Sequence, residues 1–186
     1  EICRNNGARS TRTASDPQER LTLWKGRKAA FAAMGKISPD YYVQDGVIPR
    51  TKLPEVLQEI AALSQKHGYA VANVFHAGDG NLHPLILYNN AISGQLEAVE
   101  ELGGDILKLC VKVGGSISGE HGIGADKRCY MPEMFSDADL DTMLKVRSAF
   151  NPKGLANPEK IFPTPRTCGE AAHAQAQQKF PDVERF

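Results

Sequence analysis

Apolar residues along this chain change their spacing several times, and each change marks a predicted element. In "LPEVLQEIAALSQKHG" Leu53, Val56, Leu57, Ile60 and Ala61 recur on one helical face, and Gly68 follows as the stop. "DPQERLTLWKGRKAAFAAM" opens on Asp16-Pro17, a favourable helix start, and spaces Leu21, Trp24, Lys28 and Phe31 for a helix over about 16–34. A third helix, over about 92–113, turns Leu96, Val99, Leu102, Ile106, Leu109 and Val113 inward and ends at Gly114-Gly115. The last opens on Ser136, with Asp139 at the capping-box spacing, and is stopped by "NPKG". Between these lie strand-like runs: a short one around Tyr42 to Ile48, then two over about 69–76 and 83–88 joined by "AGDGNL", whose glycines and Asn tolerate positive φ.

Helices alternating with a hairpin predict an α+β fold, an antiparallel sheet covered by helices, over a doubly wound one. The dinucleotide fingerprint is missing, since His83 stands where a third glycine should follow Gly78 and Gly80, and the turn is a hairpin. The pattern predicts one domain over residues 1–165 and a surface extension over 166–186, where the chain turns rich in Pro, Gln and Ala. The first residue is not Met, so the chain reads as a piece of a larger protein.

Composition narrows the partners. Lys plus Arg and Asp plus Glu both total 22, so no net field gathers nucleic acid or an anionic membrane. No apolar run approaches the ~18 residues of a membrane span, and no signal segment is present. Cys3, Cys110, Cys129 and Cys168 form no C-x-x-C pair, which predicts four reduced thiols and a cytoplasmic protein.

The candidate chemistry sits in two loops. If His76 and His83 flank the hairpin connection, their imidazoles share a face and converge, which is half of a metal site. In "GEHGIG", Glu120 and His121 are surrounded by Gly115, Gly119, Gly122 and Gly124, a density expected where the backbone must approach something closely. His76, His83 and Glu120 would make a two-His, one-carboxylate set for Zn²⁺, Mn²⁺ or Fe²⁺. His121 is then the natural general base, because a neutral imidazole is the side chain suited to take a hydroxyl proton. Asp79 and Asn81 read as turn residues bonding their own backbone, Lys127, Arg50 and Arg128 as unremarkable cations, and His67 and His173 as surface residues. Arg27 sits beside Trp24 with a planar fork suited to a carboxylate. The same residues would also serve a stand-alone metal hydrolase, or a non-catalytic domain whose loops bind a partner.

"LWKGRKAAF", "PDYYVQDGVIPR", "FHAGDGNLHP", "GGSISGEHGIG" and "NPKGLANPEKIFP", in this order, resemble the C-terminal half of the FAD-linked oxidases of the vanillyl-alcohol-oxidase type. Within that family the likeness is to glycolate oxidase flavin subunits and D-lactate dehydrogenases. The resemblance implies an oxidoreductase cap domain over a flavin, with FAD bound mainly by an N-terminal domain that this chain does not contain. It implies a divalent metal on His76, His83 and Glu120, a base at His121, a substrate-carboxylate contact at Arg27 and a place near the flavin for Asn157. The implied reaction is oxidation of a small D-2-hydroxy acid to the 2-oxo acid by hydride transfer to flavin. Pro84 and Leu85 after the second histidine tilt the expected substrate to a monocarboxylate such as glycolate or D-lactate. The expected partners are that substrate and other subunits of an oxidase complex, through which the protein could associate with a membrane. The chain alone is expected to bind FAD weakly or not at all and to be inactive.

Overall fold

The structure is a computed structural model and describes residues 1–163. By their internal contacts these residues form two compact units, Glu1–Ile37 and the part that begins at Ser38.

The N-terminal unit is built on helix α1 (Pro17–Lys28). Asp16 caps it by accepting from the Glu19 amide, and Pro17 fills the first turn, where a missing N–H costs nothing. Glu19 receives the amide and hydroxyl of Ser15 and the Arg12 guanidinium, and these hold its carboxyl down at about 2. After Ala29 the helical path resumes as single turns, Ala30–Ala33 and Met34–Lys36, so the predicted helix over 16–34 is interrupted.

The second unit is an antiparallel sheet with helices. Its strands are β1 (Asp40–Val43), β2 (Gly46–Val47), β3 (Val71–His76) and β4 (Asn81–Tyr88). β4 is central: β1 and β2 both pair along one side of it and β3 along the other. β1 and β2 are one run in a single register, with Val43 opposite Leu85 and Gly46 opposite Leu82. Pro84 explains the break between them. The Gln44 amide donates to the Pro84 carbonyl at 3.2 Å, but proline has no N–H to return the bond, so the ladder lapses at Gln44 and Asp45.

The two faces of this sheet differ in kind. Leu82 and Ile86 of β4, with Tyr42, Val71 and Phe75, pack on Val56 and Ile60 of helix α2 (Leu53–His67) and on Val99, Leu102, Ile106 and Cys110 of helix α3 (Gln95–Lys112). α2 ends at Gly68, whose φ of 76° admits the left-handed turn that stops it. His67 is not a surface residue: its Nε2 lies 3.0 Å from Asp105 and ties α2 to α3. Helix α4 (Asp137–Phe150) starts with the expected capping box between Ser136 and Asp139 and buries Leu140 against Leu107, Ile117 and Met131. Because side chains alternate along a strand, the opposite face of the sheet carries Asp45, Val47, His76, Asn81 and His83.

Cys3 and Cys110 are free, whereas Cys129 is disulfide-bonded, which corrects the expectation of four reduced thiols. Among the described residues no helix is long and apolar enough to cross a membrane. His173 and the predicted extension over 166–186 lie outside the described residues.

Candidate metal centre

β3 and β4 supply the two histidines, though not as directly opposed residues. The connection closes in Ala77–Gly80, where the Asp79 and Gly80 amides both donate to the His76 carbonyl at 3.0 Å. That tight turn leaves Asn81 and Leu82 free to join the ladder, so His76 faces Asn81 and His83 faces Val74. The histidines are therefore diagonal neighbours on one face, still within reach of each other. Their rings meet edge to face with centroids 5.5 Å apart.

The second pair arrives on the loop after α3. This loop is stitched to β2 by reciprocal bonds between Val47 and Ser116, each 2.9 Å long. Gly115 permits the approach, since a Cβ there would lie 1.9 Å from the Val47 carbonyl oxygen. From Ser118 onward the loop folds around one carboxylate. Asp45 Oδ2 accepts from the Ser118 hydroxyl (2.9 Å), from the amides of Gly119 (3.0 Å), Glu120 (3.2 Å) and His121 (2.9 Å), and from Lys127 Nζ (3.3 Å). Asp45 is fully buried, and burial alone would push its carboxyl up; the His121 amide, the Lys127 ammonium and the Ser118 hydroxyl outweigh it and hold it down at about 2. Lys127 is buried too, and its desolvation lowers its own pKa against the pull of Asp45.

Held in this way, Glu120 Oε1 lies 2.8 Å from His83 Nε2 and 3.7 Å from His121 Nε2. The His121 ring stacks on that of His83 at 5.1 Å and 15°. His76, His83 and Glu120 each offer a ligand atom within 4.8 Å of the others, so two imidazoles and a carboxylate converge on one point. Nitrogen and oxygen donors in that ratio suit Mn²⁺, Fe²⁺ or Zn²⁺, and the set fits a divalent ion. A second grouping, Asp45, His83 and His121, is equally close. It suits a cation less well, because the Asp45 carboxylate is already paired with the buried Lys127 ammonium and its Oδ2 serves five donors in all. His83 is buried while Glu120 and His121 are about half exposed, so the cluster opens on one side. There Val47, His76, Asp79, Asn81, Gly119 and Glu120 line a cleft of about 350 Å³.

Two further sequence-predicted residues are carried by other segments. Arg27 is on α1 in the N-terminal unit, lining a shallow cleft with Arg20, Leu23 and Trp24. Asn157 has φ 44°, within a segment in which Glu159 and Ile161 also take positive φ. Arg147 holds that segment by donating to the carbonyls of Ala156, Asn157 and Lys160. Sequence reasoning missed Asp45 altogether and read Lys127 as an ordinary cation. One signal was available: an acid set within a run of aromatic and β-branched residues, "YYVQDGVI", is costly unless many donors meet it.

Known proteins are similar to this chain in sequence. The chain is 52% identical over 189 residues to the glycolate oxidase subunit GlcD of Escherichia coli (strain K12), an alignment covering 100% of this chain and 38% of that protein. It is 30% identical over 161 residues to the GlcD of Bacillus subtilis (strain 168), covering 87% of this chain and 34% of the relative. With the mitochondrial D-lactate dehydrogenase (cytochrome) 1 of Saccharomyces cerevisiae it shares 32% identity over 169 residues, covering 88% of this chain and 28% of the relative. The chain thus spans between 28% and 38% of the length of these relatives. The family described as "FAD linked oxidases, C-terminal domain" matches residues 1–161, the span that holds both histidine-bearing loops and the sheet that positions them. On that match the chain belongs to the C-terminal domain family of the FAD-linked oxidases.

Proposed function

We propose that this chain acts as the C-terminal portion of a flavoprotein that oxidises a small D-2-hydroxy acid, glycolate or D-lactate, to the 2-oxo acid with the help of a divalent metal. The observation that carries the reading is the convergence of His76, His83 and Glu120 at a cleft, with His121 stacked beside them. The names of the relatives, a glycolate oxidase subunit and a D-lactate dehydrogenase, support the substrate class.

His76, His83 and Glu120 would hold the metal. A bound divalent ion supplies Lewis acidity that lowers the pKa of a 2-hydroxyl, so a base of modest strength suffices. His121 Nε2 would accept the hydroxyl proton, and a bound flavin would supply the acceptor for the hydride lost from Cα as the alcohol becomes a carbonyl. Buried His83 and the hydrogen bonds that the loop amides donate to Asp45 keep the base and the carboxylate in one place, which shortens the search for reactive geometry. Arg27 is the proposed contact for the substrate carboxylate and Asn157 the proposed neighbour of the flavin; both roles rest on the family resemblance. Pro84 and Leu85 leave no polar side chain after His83 for a second carboxylate, which favours a monocarboxylate. The word "subunit" in the relatives' names favours assembly with other chains, through which the protein would meet a membrane.

The test is made in the full-length flavoprotein. His121→Ala should lower kcat on D-lactate or glycolate by about 10²–10⁴-fold with the metal retained. An unchanged kcat in a variant that keeps its metal would remove His121 from the base role.

A further inference from the structure

The geometry points to Asn81 as a fourth ligand of the cation site, contributing its side-chain carbonyl oxygen beside His76, His83 and Glu120; the inference rests on the metal reading above. Asn81 is 7% exposed, and its Oδ1 is a buried acceptor with no hydrogen-bond partner among the described residues. Buried acceptors are nearly always paired in folded proteins, and an orphan lowers stability unless something else binds it.

Its place in the fold says what that something is. Asn81 faces His76 across the β3–β4 ladder and stands two residues from His83 on the same strand, so all three side chains share one face. From above, Gly119 presses on it. A Cβ at position 119 would lie 2.7 Å from Asn81 Oδ1 and 2.6 Å from Val47 Cγ2, so only glycine lets the loop bring Glu120 down beside the amide. Asn81, Gly119, Glu120 and His76 also line the same cleft. A turn residue bonding its own backbone, the role its sequence context suggests, would have left Oδ1 paired.

A neutral amide oxygen is a hard donor. It turns the two-nitrogen, one-oxygen set into two nitrogens and two oxygens, suited to a six-coordinate ion such as Mn²⁺ rather than to four-coordinate Zn²⁺, which these donors would close. A six-coordinate ion keeps two positions open. That is the number a 2-hydroxy acid fills with its hydroxyl and one carboxylate oxygen.

The experiment is a Mn²⁺ titration of the whole chain, reading free ion by electron paramagnetic resonance, with thermal unfolding in chelator as a second readout. Asn81→Leu, close in shape but without a donor, should weaken Mn²⁺ binding at least tenfold while leaving the metal-free chain as stable as the original or more so. Asn81→Asp should restore or exceed the original affinity. Asn81→Ala serves as the second donor-free variant should leucine prove too large against Gly119. Original Mn²⁺ affinity in the folded donor-free variants would overturn the assignment and leave the three-ligand metal reading standing. No Mn²⁺ binding by the unaltered chain would overturn both.

Discussion

The two halves of the candidate site are held by opposite strategies. His76 and His83 belong to a ladder of six paired residues, Val71–His76 against Ile86–Asn81, in which each pair backs up the next. Glu120 and His121 belong to a glycine-punctuated loop whose course hangs on the Asp45 carboxylate and its partner Lys127. Redundant backbone pairing tolerates the loss of any one contact, whereas a single buried carboxylate concentrates the positioning of the loop in one side chain. Glu120 and His121 should therefore be far easier to displace than the two strand histidines.

The largest break in that comparison comes from Asp45→Ala. It strands buried Lys127 and orphans three amides, so it should cost about 3–5 kcal/mol, and it should disorder Glu120 and His121 while β3 and β4 persist. Denaturant unfolding with amide-exchange protection checks both parts: protection should be lost over 118–122 and kept over 71–88. Equal protection in the two segments would refute the contrast.

Acid sharpens it next. A carboxyl held at about 2 in the folded chain, against about 4 when unfolded, contributes stability above pH 4 that is lost as pH falls toward 2. In chelator, the unfolding free-energy gap between the unaltered chain and Asp45→Asn should shrink by about 2 kcal/mol between pH 6 and pH 2. A gap independent of pH would mean that the loop does not depend on the ionised form.

Gly119→Ala is a smaller perturbation. The new methyl meets Val47 and Asn81 below 3 Å, so the loop must lift, at about 1–3 kcal/mol. The stacking of His121 on His83 should loosen, visible in the histidine resonances, with the ladder unchanged.

The same contrast explains what was legible in the sequence. Local signals sufficed for α2 with its Gly68 stop, for α4 with the Ser136 and Asp139 cap, and for the existence of the hairpin. The convergence of the two imidazoles could be read from that hairpin, but not its register, which depends on a turn that closes before Asn81 rather than after Leu82. The gap between β1 and β2 was illegible for a different reason: its cause, the missing N–H of Pro84, lies on the partner strand. Asp45 was harder still, because its donors stand 73 to 82 positions away and no local spacing links them.

Strand histidines and loop carboxylate are expected to bind one divalent ion together. This is tested most directly by the metal content of the full chain after incubation with Mn²⁺ and exhaustive dialysis, for the unaltered protein, His76→Ala and Glu120→Gln. His76 is exposed, so its loss should change stability by no more than about 0.5 kcal/mol and any loss of metal reports on coordination. One ion per unaltered chain is expected, and a small fraction of that in either variant, with both still folded. An unaltered chain without metal, or variants that keep it, would rule out shared coordination by the strand histidines and Glu120.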